Sequence, residues 1–180
     1  MRLFIAASLA TEQMQVLEEA QGLLRCKSKK LSLTKAENLH LTLHFLGETE
    51  ASDCERLLLA LAEVELPPLE RLTSRLRAYD YFKRRDGLLV FADLEVSTEL
   101  LGLRENLGEL LREQGFEVDR RPWKTHVTLA RRTQLASPWQ EVKEQFSLAE
   151  TSANFTNIVL FKSEFTQHGM LYTPLYKFFR

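Results

Sequence analysis

The stretch Asn38-Leu39-His40-Leu41-Thr42-Leu43-His44-Phe45-Leu46-Gly47 alternates between polar and apolar side chains through its middle. Successive side chains of a β-strand point to opposite faces of the sheet, so strict alternation separates the two kinds of residue. One face is expected to carry His40, Thr42 and His44, and the other to carry Phe45 with the leucines. This pattern predicts a strand with one face packed against a core and one face free for chemistry.

A second stretch, later in the chain, repeats this arrangement. Pro122-Trp123-Lys124-Thr125 leads into His126-Val127-Thr128-Leu129-Ala130, in which His126 and Thr128 share one face. A single histidine with a threonine two residues later is weak evidence, because threonine favours strands for its β-branch alone. Two matched instances, each in an alternating strand, indicate a functional pair rather than two buried polar residues.

The rest of the chain places one such strand in each half. Apolar periodicity and turn residues predict strands over 2–8, 38–47, 69–82, 88–94, 126–130, 155–163 and 171–179. Helical spacing predicts helices over 11–26, 52–64 and 97–114, the last of them ended by Gly115. Each half therefore contains strands, a helix and one His-x-Thr-x motif, which suggests a degenerate internal duplication.

The composition is that of an ordinary globular protein and argues against several function classes. With 180 residues, 44% hydrophobic and 27% charged, we expect residues 1–180 to form a single domain. A formal net charge of −1 provides no global field for a long nucleic acid, so any RNA contact is expected to be local. Cys26 and Cys54 lack metal-ligand or redox spacing, which argues against zinc and disulfides and favours a cytoplasmic location. No signal peptide or membrane span is predicted.

The paired motifs suit displacement at phosphorus. Two histidines can occupy opposite protonation states near neutral pH, one accepting a proton while the other donates one. A threonine two residues further along a strand projects from the same face, where its hydroxyl can donate a hydrogen bond to a nonbridging phosphate oxygen. His40 with Thr42, and His126 with Thr128, are therefore the candidate catalytic and substrate-binding pairs.

At these residues the sequence resembles the RNA 2′,3′-cyclic phosphodiesterases of the 2H phosphoesterase superfamily, formerly called 2′-5′ RNA ligases. The resemblance rests on the two motif blocks, 38–47 and 121–131, and on two shorter segments, Arg2-Leu3-Phe4-Ile5-Ala6 and Tyr172-Thr173-Pro174-Leu175. The family commonly has a proline where this chain has Thr125, and often a phenylalanine where it has Trp123. The resemblance implies an α+β fold. In that fold two lobes are related by a pseudo-twofold axis, and each is an antiparallel β-sheet with helices on its outer face. The sheets face each other across a central active-site cleft.

The resemblance also implies a reaction and a role for each motif residue. His126 would be the general base that activates water, and His40 the general acid that protonates the departing ribose 3′ oxygen, which leaves a 2′-phosphate. Thr42 and Thr128 would hold the phosphoryl oxygens, with no metal and no other cofactor. The expected partner is RNA with 2′,3′-cyclic phosphate ends, or a small cyclic nucleotide, bound by a monomer.

Other residues are weaker candidates. Arg131 is a candidate substrate-binding residue, although strict alternation turns it away from the face of His126 unless the strand ends there. His44 is expected at the rim of the site with a mainly structural role, and Phe45 is expected to pack in the core. Trp123, and Phe45 if it does not pack in the core, are candidates for stacking on a nucleobase. Further candidates are two basic clusters that could follow an RNA backbone, Lys27 with Lys29 and Lys30, and Lys83-Arg84-Arg85, and a surface histidine, His168.

Three alternatives to the hydrolase remain open from the residues alone. The first is RNA ligation on 2′,3′-cyclic and 5′-hydroxyl ends, which is the microscopic reverse of cleavage. The second is a module that binds phosphorylated nucleotides or RNA ends without turnover, against which the paired proton-transfer groups argue. The third is a metal site built from His40, His44 and His126, which no Asp, Glu or Cys accompanies at ligand spacing.

Overall fold

The computed structural model describes residues 1–147, 152–167 and 169–179. In these residues the chain forms nine β-strands and four α-helices. The strands are β1 (Arg2–Ser8), β2 (Ser28–Leu33), β3 (His40–Glu48), β4 (Thr73–Arg84), β5 (Gly87–Val96), β6 (His126–Leu135), β7 (Ser152–Asn154), β8 (Asn157–Thr166) and β9 (Gly169–Lys177). The helices are α1 (Thr11–Lys27), α2 (Ala51–Ala62), α3 (Thr98–Glu113) and α4 (Trp139–Lys143).

The strands form two antiparallel sheets. Sheet A has four strands in the order β3-β1-β8-β9, and sheet B has five in the order β2-β6-β5-β4-β7. One motif strand lies in each sheet, β3 in sheet A and β6 in sheet B. Each pairs antiparallel with a largely buried strand, β3 with β1 and β6 with β5. The expected α+β fold with two antiparallel sheets is confirmed.

Each half of the chain supplies a helix to the sheet of the other half. Helix α1 follows β1 of sheet A, yet the Gln21 side chain donates a hydrogen bond to the Leu129 carbonyl in sheet B at 2.9 Å. Helix α3 follows β5 of sheet B, yet Arg104 donates to the Leu43 carbonyl in sheet A at 3.2 Å. The two halves are therefore intertwined, and one hydrophobic cluster contains buried residues of both sheets.

Helix α3 shows why these segments fold as predicted. Its leucines at positions 100, 103, 107 and 111 follow helical spacing and are at most 2% exposed, so one stripe faces the core. The Ser97 side chain accepts a hydrogen bond from the Leu100 N–H at the start of the helix. After the helix, Gly115 adopts φ 86°, a conformation that glycine tolerates best.

Both motif strands carry an extra residue relative to their partners, three positions after the histidine. Ile5 pairs with His44 and Ala6 with Thr42, so Leu43 is a β-bulge in β3. Val90 pairs with Ala130 and Phe91 with Thr128, so Leu129 is the corresponding bulge in β6. A bulge reverses which face the following side chains point to. Side-chain direction beyond each motif therefore departs from strict alternation.

Other boundaries also differ from the sequence expectations. The strand expected from residue 69 begins at Thr73, because residues 69–71 form a 3-10 turn after Pro67 and Pro68. The strand expected over 126–130 continues to Leu135. The elements β2, β7 and α4 have no counterpart among the predicted segments. No helix in the described part of the chain has the length and apolar character that a membrane span requires.

Candidate active site

His40 and His126 open their strands, and the same local contact orients both rings. The Nδ1–H of His40 donates to the Asn38 carbonyl at 2.7 Å, and the Nδ1–H of His126 donates to the Lys124 carbonyl at 2.8 Å. In each case the acceptor is the residue two positions before the histidine. A carbonyl oxygen can only accept, so it fixes the proton on Nδ1 and leaves Nε2 of the neutral ring as the free base.

The first motif threonine lies directly beside its histidine. Thr42 Oγ1 is 2.9 Å from His40 Nε2, and with Nδ1 protonated the hydroxyl donates to Nε2. Thr128 follows His126 by two residues and, like Thr42, is half-buried on the same side of its strand as the histidine. Each lobe therefore presents an imidazole and a hydroxyl on one face, as the motif spacing predicts.

The two imidazoles share one electrostatic environment. Burial lowers the pKa of His40 from 6.5 to about 4, the Asn38 carbonyl opposes this shift, and the charges of Arg131 and His126 add to it. Burial also lowers the pKa of His126, with Arg131 and Lys124 adding to the effect and Asp93 opposing it. The cleft therefore brings the histidines of the two halves within electrostatic reach of each other and of one arginine, and both rings are neutral near pH 7.

Arg131 lies on the same side of β6 as His126, because the bulge at Leu129 reverses the direction of the residues beyond it. Ala130 is fully buried and Arg131 is exposed. The positive charge of Arg131 lowers the pKa of both motif histidines. It also opposes the rise in the pKa of Tyr172 that burial causes. Strand β6 continues past Arg131 to Leu135. The side chain of Arg131 therefore departs from strict alternation because of the bulge and not because the strand ends.

The equivalent bulge in β3 makes two sequence expectations wrong. Alternation predicts His44 at the rim on the face of His40, but His44 is 5% exposed and its Nε2–H donates to the Arg104 carbonyl at 2.7 Å. Alternation predicts Phe45 in the core, but Phe45 is 67% exposed and lies on the cleft side, 6.2 Å from the Phe4 ring. The metal site considered for His40, His44 and His126 does not form, because His44 points to α3.

Aromatic rings support both motif histidines. Phe4 lies 5.0 Å and Tyr172 5.4 Å from the His40 ring. Phe82 lies 5.5 Å and Phe91 5.3 Å from the His126 ring. Sequence reasoning missed these four rings as site residues, although Phe4 and Tyr172 stand in the two short segments that carry the family resemblance.

The strand partners of the two histidines differ in charge. His40 pairs with Ser8 on β1, whereas His126 pairs with Asp93 on β5. Asp93 is 5% exposed and binds Arg77 at 2.7 Å and Lys124 at 3.2 Å. This carboxylate raises the pKa of His126 against the effect of burial. Sequence reasoning missed Asp93, because its alignment with His126 follows from strand register.

Trp123 connects the two lobes. Its indole Nε1–H donates to the Thr42 carbonyl at 3.1 Å, and the Arg104 guanidinium lies 4.6 Å above its ring. Its N–H and one face of its ring are therefore engaged within the protein, and stacking of this ring on a nucleobase stays a prediction.

The remaining candidates are dispersed. Arg84 lies 5.4 Å above the Phe82 ring, which in turn contacts the His126 ring, whereas Lys29 and Lys30 are exposed on the edge strand β2. His168 lies outside the described residues. Within those residues, no three His, Cys, Asp or Glu side chains are grouped so that they could hold a metal ion.

Comparison with known proteins identifies relatives in sequence and in fold. Residues 8–164 match the model of the 2′-5′ RNA ligase superfamily. The RNA 2′,3′-cyclic phosphodiesterase of Thermus thermophilus is 36% identical, over 99% of this chain and 89% of the relative. The crystal structure of TT0787 of Thermus thermophilus superposes with a TM-score of 0.78 at 30% identity, covering 98% of this chain and 96% of that one. The structure of E. coli LigT complexed with NADP⁺ has a TM-score of 0.69 at 26% identity, covering 98% of this chain and 95% of that one.

Proposed function

The chain belongs to the 2′-5′ RNA ligase superfamily, and from this premise we propose that it is an RNA 2′,3′-cyclic phosphodiesterase. The substrate is a 2′,3′-cyclic phosphate at an RNA end or on a small nucleotide, and the product is the 2′-phosphate. The observation that carries the proposal is the pair of Nδ1–H contacts to backbone carbonyls. They leave two imidazole Nε2 atoms available for proton transfer, one from each lobe.

The reaction is an in-line displacement with one proton transfer on each side of phosphorus. His126 Nε2 takes a proton from water as the water oxygen bonds to phosphorus. The bond from phosphorus to the ribose 3′ oxygen breaks, and His40 donates its Nε2 proton to that oxygen. The protons then re-equilibrate with solvent, which returns both histidines to their starting states.

These steps require a protonated His40, and the negative charge of the substrate favours that protonation. In the empty cleft His40 has a pKa of about 4, so it is neutral near pH 7 and cannot act as the acid. A cyclic phosphate diester carries one negative charge, and an opposite charge at contact distance raises the pKa of an imidazole. Substrate binding therefore favours protonation of a histidine inside the cleft.

Asp93 introduces an asymmetry that bears on the direction of the reaction. It stabilises a proton on His126, which in the empty cleft favours His126 rather than His40 as the protonated partner. The assignment of His126 as base follows the family resemblance, and the electrostatics of the empty cleft favour the opposite assignment.

The donors of the cleft hold the phosphoryl group. Thr42 donates to His40 Nε2 in the empty cleft, and protonation of His40 releases this hydroxyl to a phosphate oxygen. Thr128 supplies the second hydroxyl, and Arg131 supplies a fixed positive charge that stabilises the charge developing in the transition state. Every group named here comes from one chain, so the proposed reaction needs no second copy.

The decisive experiment is incubation of the purified protein with adenosine 2′,3′-cyclic phosphate in excess chelator, with the product isomer identified by phosphorus NMR. Formation of 2′-AMP supports the proposal, and 3′-AMP shows that the ribose 2′ oxygen departs instead of the 3′ oxygen. Binding without turnover supports the binding-module alternative. Turnover that disappears in chelator and returns with a divalent cation contradicts the metal-independent mechanism.

Ligation uses the same residues, with the 5′-hydroxyl of a second RNA in place of water as the nucleophile. The abundance of water favours hydrolysis. Cleavage of a 2′-5′-linked dinucleotide to the cyclic phosphate is the reverse of ligation, so incubation of that dinucleotide alongside the cyclic phosphate measures how far this path contributes.

A further inference from the structure

The carbonyls that accept the Nδ1–H groups of His40 and His126 belong to residues that lie outside the strands. Asn38 is the last residue of the 3-10 turn at residues 36–38, and Lys124 lies between α3 and β6. Because neither residue belongs to a strand, strand pairing does not fix the direction of either carbonyl. Rotation of either peptide group would remove the acceptor and allow the imidazole to change its tautomer.

Asn38 is held in place by its own side chain. The residue is 7% exposed, and its side-chain amide donates a hydrogen bond to the Met170 carbonyl at 2.9 Å. Met170 belongs to β9, at the opposite edge of sheet A from β3. This bond ties the backbone of Asn38, and with it the carbonyl that accepts from His40, to a strand that is remote in sequence.

Lys124 is also held by its own side chain, here through an ion pair. Its Nζ lies 3.2 Å from Oδ2 of Asp93, the strand partner of His126. Arg77 donates to the same oxygen at 3.0 Å from Nε and at 2.7 Å from a terminal nitrogen. These three contacts hold the carboxylate in place, and the carboxylate holds Lys124, whose carbonyl accepts from His126.

The bonding of the Asp93 carboxylate is uneven. Oδ2 receives all three of these contacts, whereas Oδ1 is buried and has no hydrogen-bond partner among the residues that the structure describes. An unsatisfied buried oxygen costs free energy, and a buried ion pair is by itself weak evidence of stabilisation. A carboxylate kept in this position, beside a motif histidine, indicates a role other than stability.

We propose that Asn38 and the Lys124–Asp93 ion pair are matched positioning residues, one set in each lobe. Each set fixes, through a side chain, the backbone carbonyl that holds the proton on Nδ1 of the motif histidine and leaves Nε2 as the free base. The inference rests on the proposed function for the roles of the histidines. The first lobe uses a neutral hydrogen bond, and the second uses an ion pair.

The test reads the tautomers directly, by nitrogen NMR of protein labelled at the histidine ring nitrogens, at about pH 8. In the wild type we expect the proton on Nδ1 in both His40 and His126. His44 is an internal reference with the opposite tautomer, because its Nε2–H donates to the Arg104 carbonyl at 2.7 Å. Replacement of each histidine by glutamine assigns its signals.

Three variants remove the anchors. Asn38→Ala should give a mixture of tautomers at His40 and leave His126 unchanged. Lys124→Met and Asp93→Asn should give the mixture at His126 and leave His40 unchanged. These two substitutions change the net charge in opposite directions, so an effect that they share comes from loss of the ion pair. Lys124→Arg keeps the ion pair and should restore the wild-type tautomer.

Two controls remove similar bonds elsewhere, and thermal unfolding checks the fold of every variant. Asn157→Ala removes side-chain bonds to the backbone of Phe179. Glu95→Gln removes an exposed ion pair with Arg75, two residues along β5 from Asp93. Neither should alter a tautomer. Unchanged tautomers at His40 and His126 in all three anchor variants overturn the proposal, and so does a mixture at both histidines in every variant.

The kinetics with adenosine 2′,3′-cyclic phosphate distinguish positioning from substrate binding. The three anchor variants should lower kcat about 10- to 100-fold, up to the loss that misplacement of a catalytic group by about 1 Å causes. KM should stay within about twofold of the wild type, because the anchors act on the histidines and not on the substrate. A higher KM for Lys124→Met with an unchanged His126 tautomer overturns the proposal, because Lys124 then binds the phosphate itself.

Failure of the proposed function gives a different result. If the wild type does not hydrolyse the cyclic phosphate, the phosphodiesterase assignment is wrong, and the tautomers still test the anchors. Selective loss of the Nδ1–H tautomer at His40 in Asn38→Ala, and at His126 in Lys124→Met, supports the anchoring in that case. A wild type whose motif histidines carry the proton on Nε2 contradicts it.

Discussion

The indole Nε1–H of Trp123 donates a hydrogen bond to the backbone carbonyl of Thr42 at 3.1 Å. This contact joins the segment that leads into the second motif to the middle of the first. The adjacent carbonyl, that of Leu43, accepts a hydrogen bond from Arg104 at 3.2 Å. Two consecutive carbonyls at the bulge of the edge strand β3 are thus held by donors from outside sheet A.

Replacement of Trp123 by phenylalanine, the residue that is common in the family, tests this contact. The change keeps a smaller aromatic ring under Arg104 and removes the N–H donor, which leaves the Thr42 carbonyl without it. We expect a free energy of unfolding lower by about 1 kcal/mol, together with a fall in kcat that exceeds any change in KM. Urea unfolding and steady-state kinetics measure the two effects.

The matched control is Trp139→Phe. Trp139 packs against Tyr81 and Phe146 on the far side of sheet B from His126. The Trp139→Phe variant should leave kcat unchanged. An equal fall in kcat for both tryptophan variants would mean that Trp123 acts through general stability rather than by positioning the first motif.

The catalytic role of the two histidines predicts loss of activity with retention of the fold. His40→Ala and His126→Ala should each lower kcat by about 10² to 10⁴, the usual contribution of a positioned acid or base. Thr42→Ala and Thr128→Ala should cost less, since each removes one hydrogen bond to the phosphoryl group. Circular dichroism of each variant at the assay temperature confirms whether the protein remains folded.

His44→Ala is the control, because His44 is a buried histidine of the same strand that faces α3. Its loss removes a buried hydrogen bond to the Arg104 carbonyl and should lower the free energy of unfolding by about 0.5 to 1.5 kcal/mol with a smaller effect on kcat. A catalytic defect in His44→Ala as large as that of His40→Ala contradicts the division between site and scaffold.

Two glycines of α3 offer a sharper test of how His44 packs. A Cβ added at Gly108 would lie 3.2 Å from His44 Cε1, whereas one added at Gly102 meets nothing within 4 Å. In the middle of a helix alanine is favoured over glycine by roughly 0.5 to 1 kcal/mol. We expect Gly102→Ala to raise the free energy of unfolding by that amount. Gly108→Ala should give no such increase, because the added methyl group would press against the His44 ring.

Thermal and urea unfolding of the two alanine variants provide the comparison. Equal stabilisation by both would show that His44 can move away from α3 at no cost, and that the bulge in β3 is not held by this helix.

The sequence predicts the helices α1, α2 and α3, the two motif strands and their shared chemistry, because apolar periodicity records which face is buried. It does not predict the bulges. Leu43 and Leu129 are both buried and continue the alternation, so nothing in the local pattern marks them as extra residues. Their positions depend on the register with β1 and β5, which are remote in sequence. The faces of His44, Phe45 and Arg131 follow from those bulges.

The sequence pattern does not predict strand β2, for a related reason. Ser28–Leu33 is the edge strand of sheet B, with Lys29 and Lys30 exposed and Leu31 only half-buried. Edge strands commonly carry lysine and little apolar surface, so the segment resembles a charged loop. Its pairing with β6 supplies the backbone hydrogen bonds that its side chains do not predict.

Burial of His40 predicts a loss of stability in acid. Its pKa is lowered from 6.5 to about 4, so between these values the unfolded chain binds a proton that the folded chain does not. The free energy of unfolding therefore rises with pH across this window and falls on acidification, by on the order of 3 kcal/mol in total for this group. His40→Gln removes the titrating group and should flatten that part of the dependence.

Urea unfolding of both proteins at pH 7 and pH 4.5 measures the difference. The wild type should lose more stability between the two pH values than His40→Gln does. An equal loss of stability in the wild type and in His40→Gln would show that His40 is protonated in the folded protein at pH 4.5. The cleft would then be more open to water than its packing indicates.

Arg131 and Arg132 are neighbours with different surroundings, which provides a matched pair for the last prediction. The charge of Arg131 lowers the pKa of His40 and of His126, whereas the Arg132 side chain binds Asp86 at 3.1 Å in the β4–β5 turn. Arg131→Gln removes a positive charge that disfavours the imidazolium, so the pKa of both histidines should rise. The acidic limb of the profile of kcat/KM against pH, which requires a neutral base, should move to higher pH.

Arg131→Gln should also raise KM, because the phosphate loses a charged partner, while Arg132→Gln should alter neither the pH profile nor KM. Stopped assays with adenosine 2′,3′-cyclic phosphate across the pH range measure both quantities. A shift of the limb to lower pH, or an equal effect of the two substitutions, would mean that Arg131 does not face the histidines. The bulge at Leu129 would then fail to turn this arginine into the cleft, and the correspondence between the bulges of the two motif strands would not extend to function.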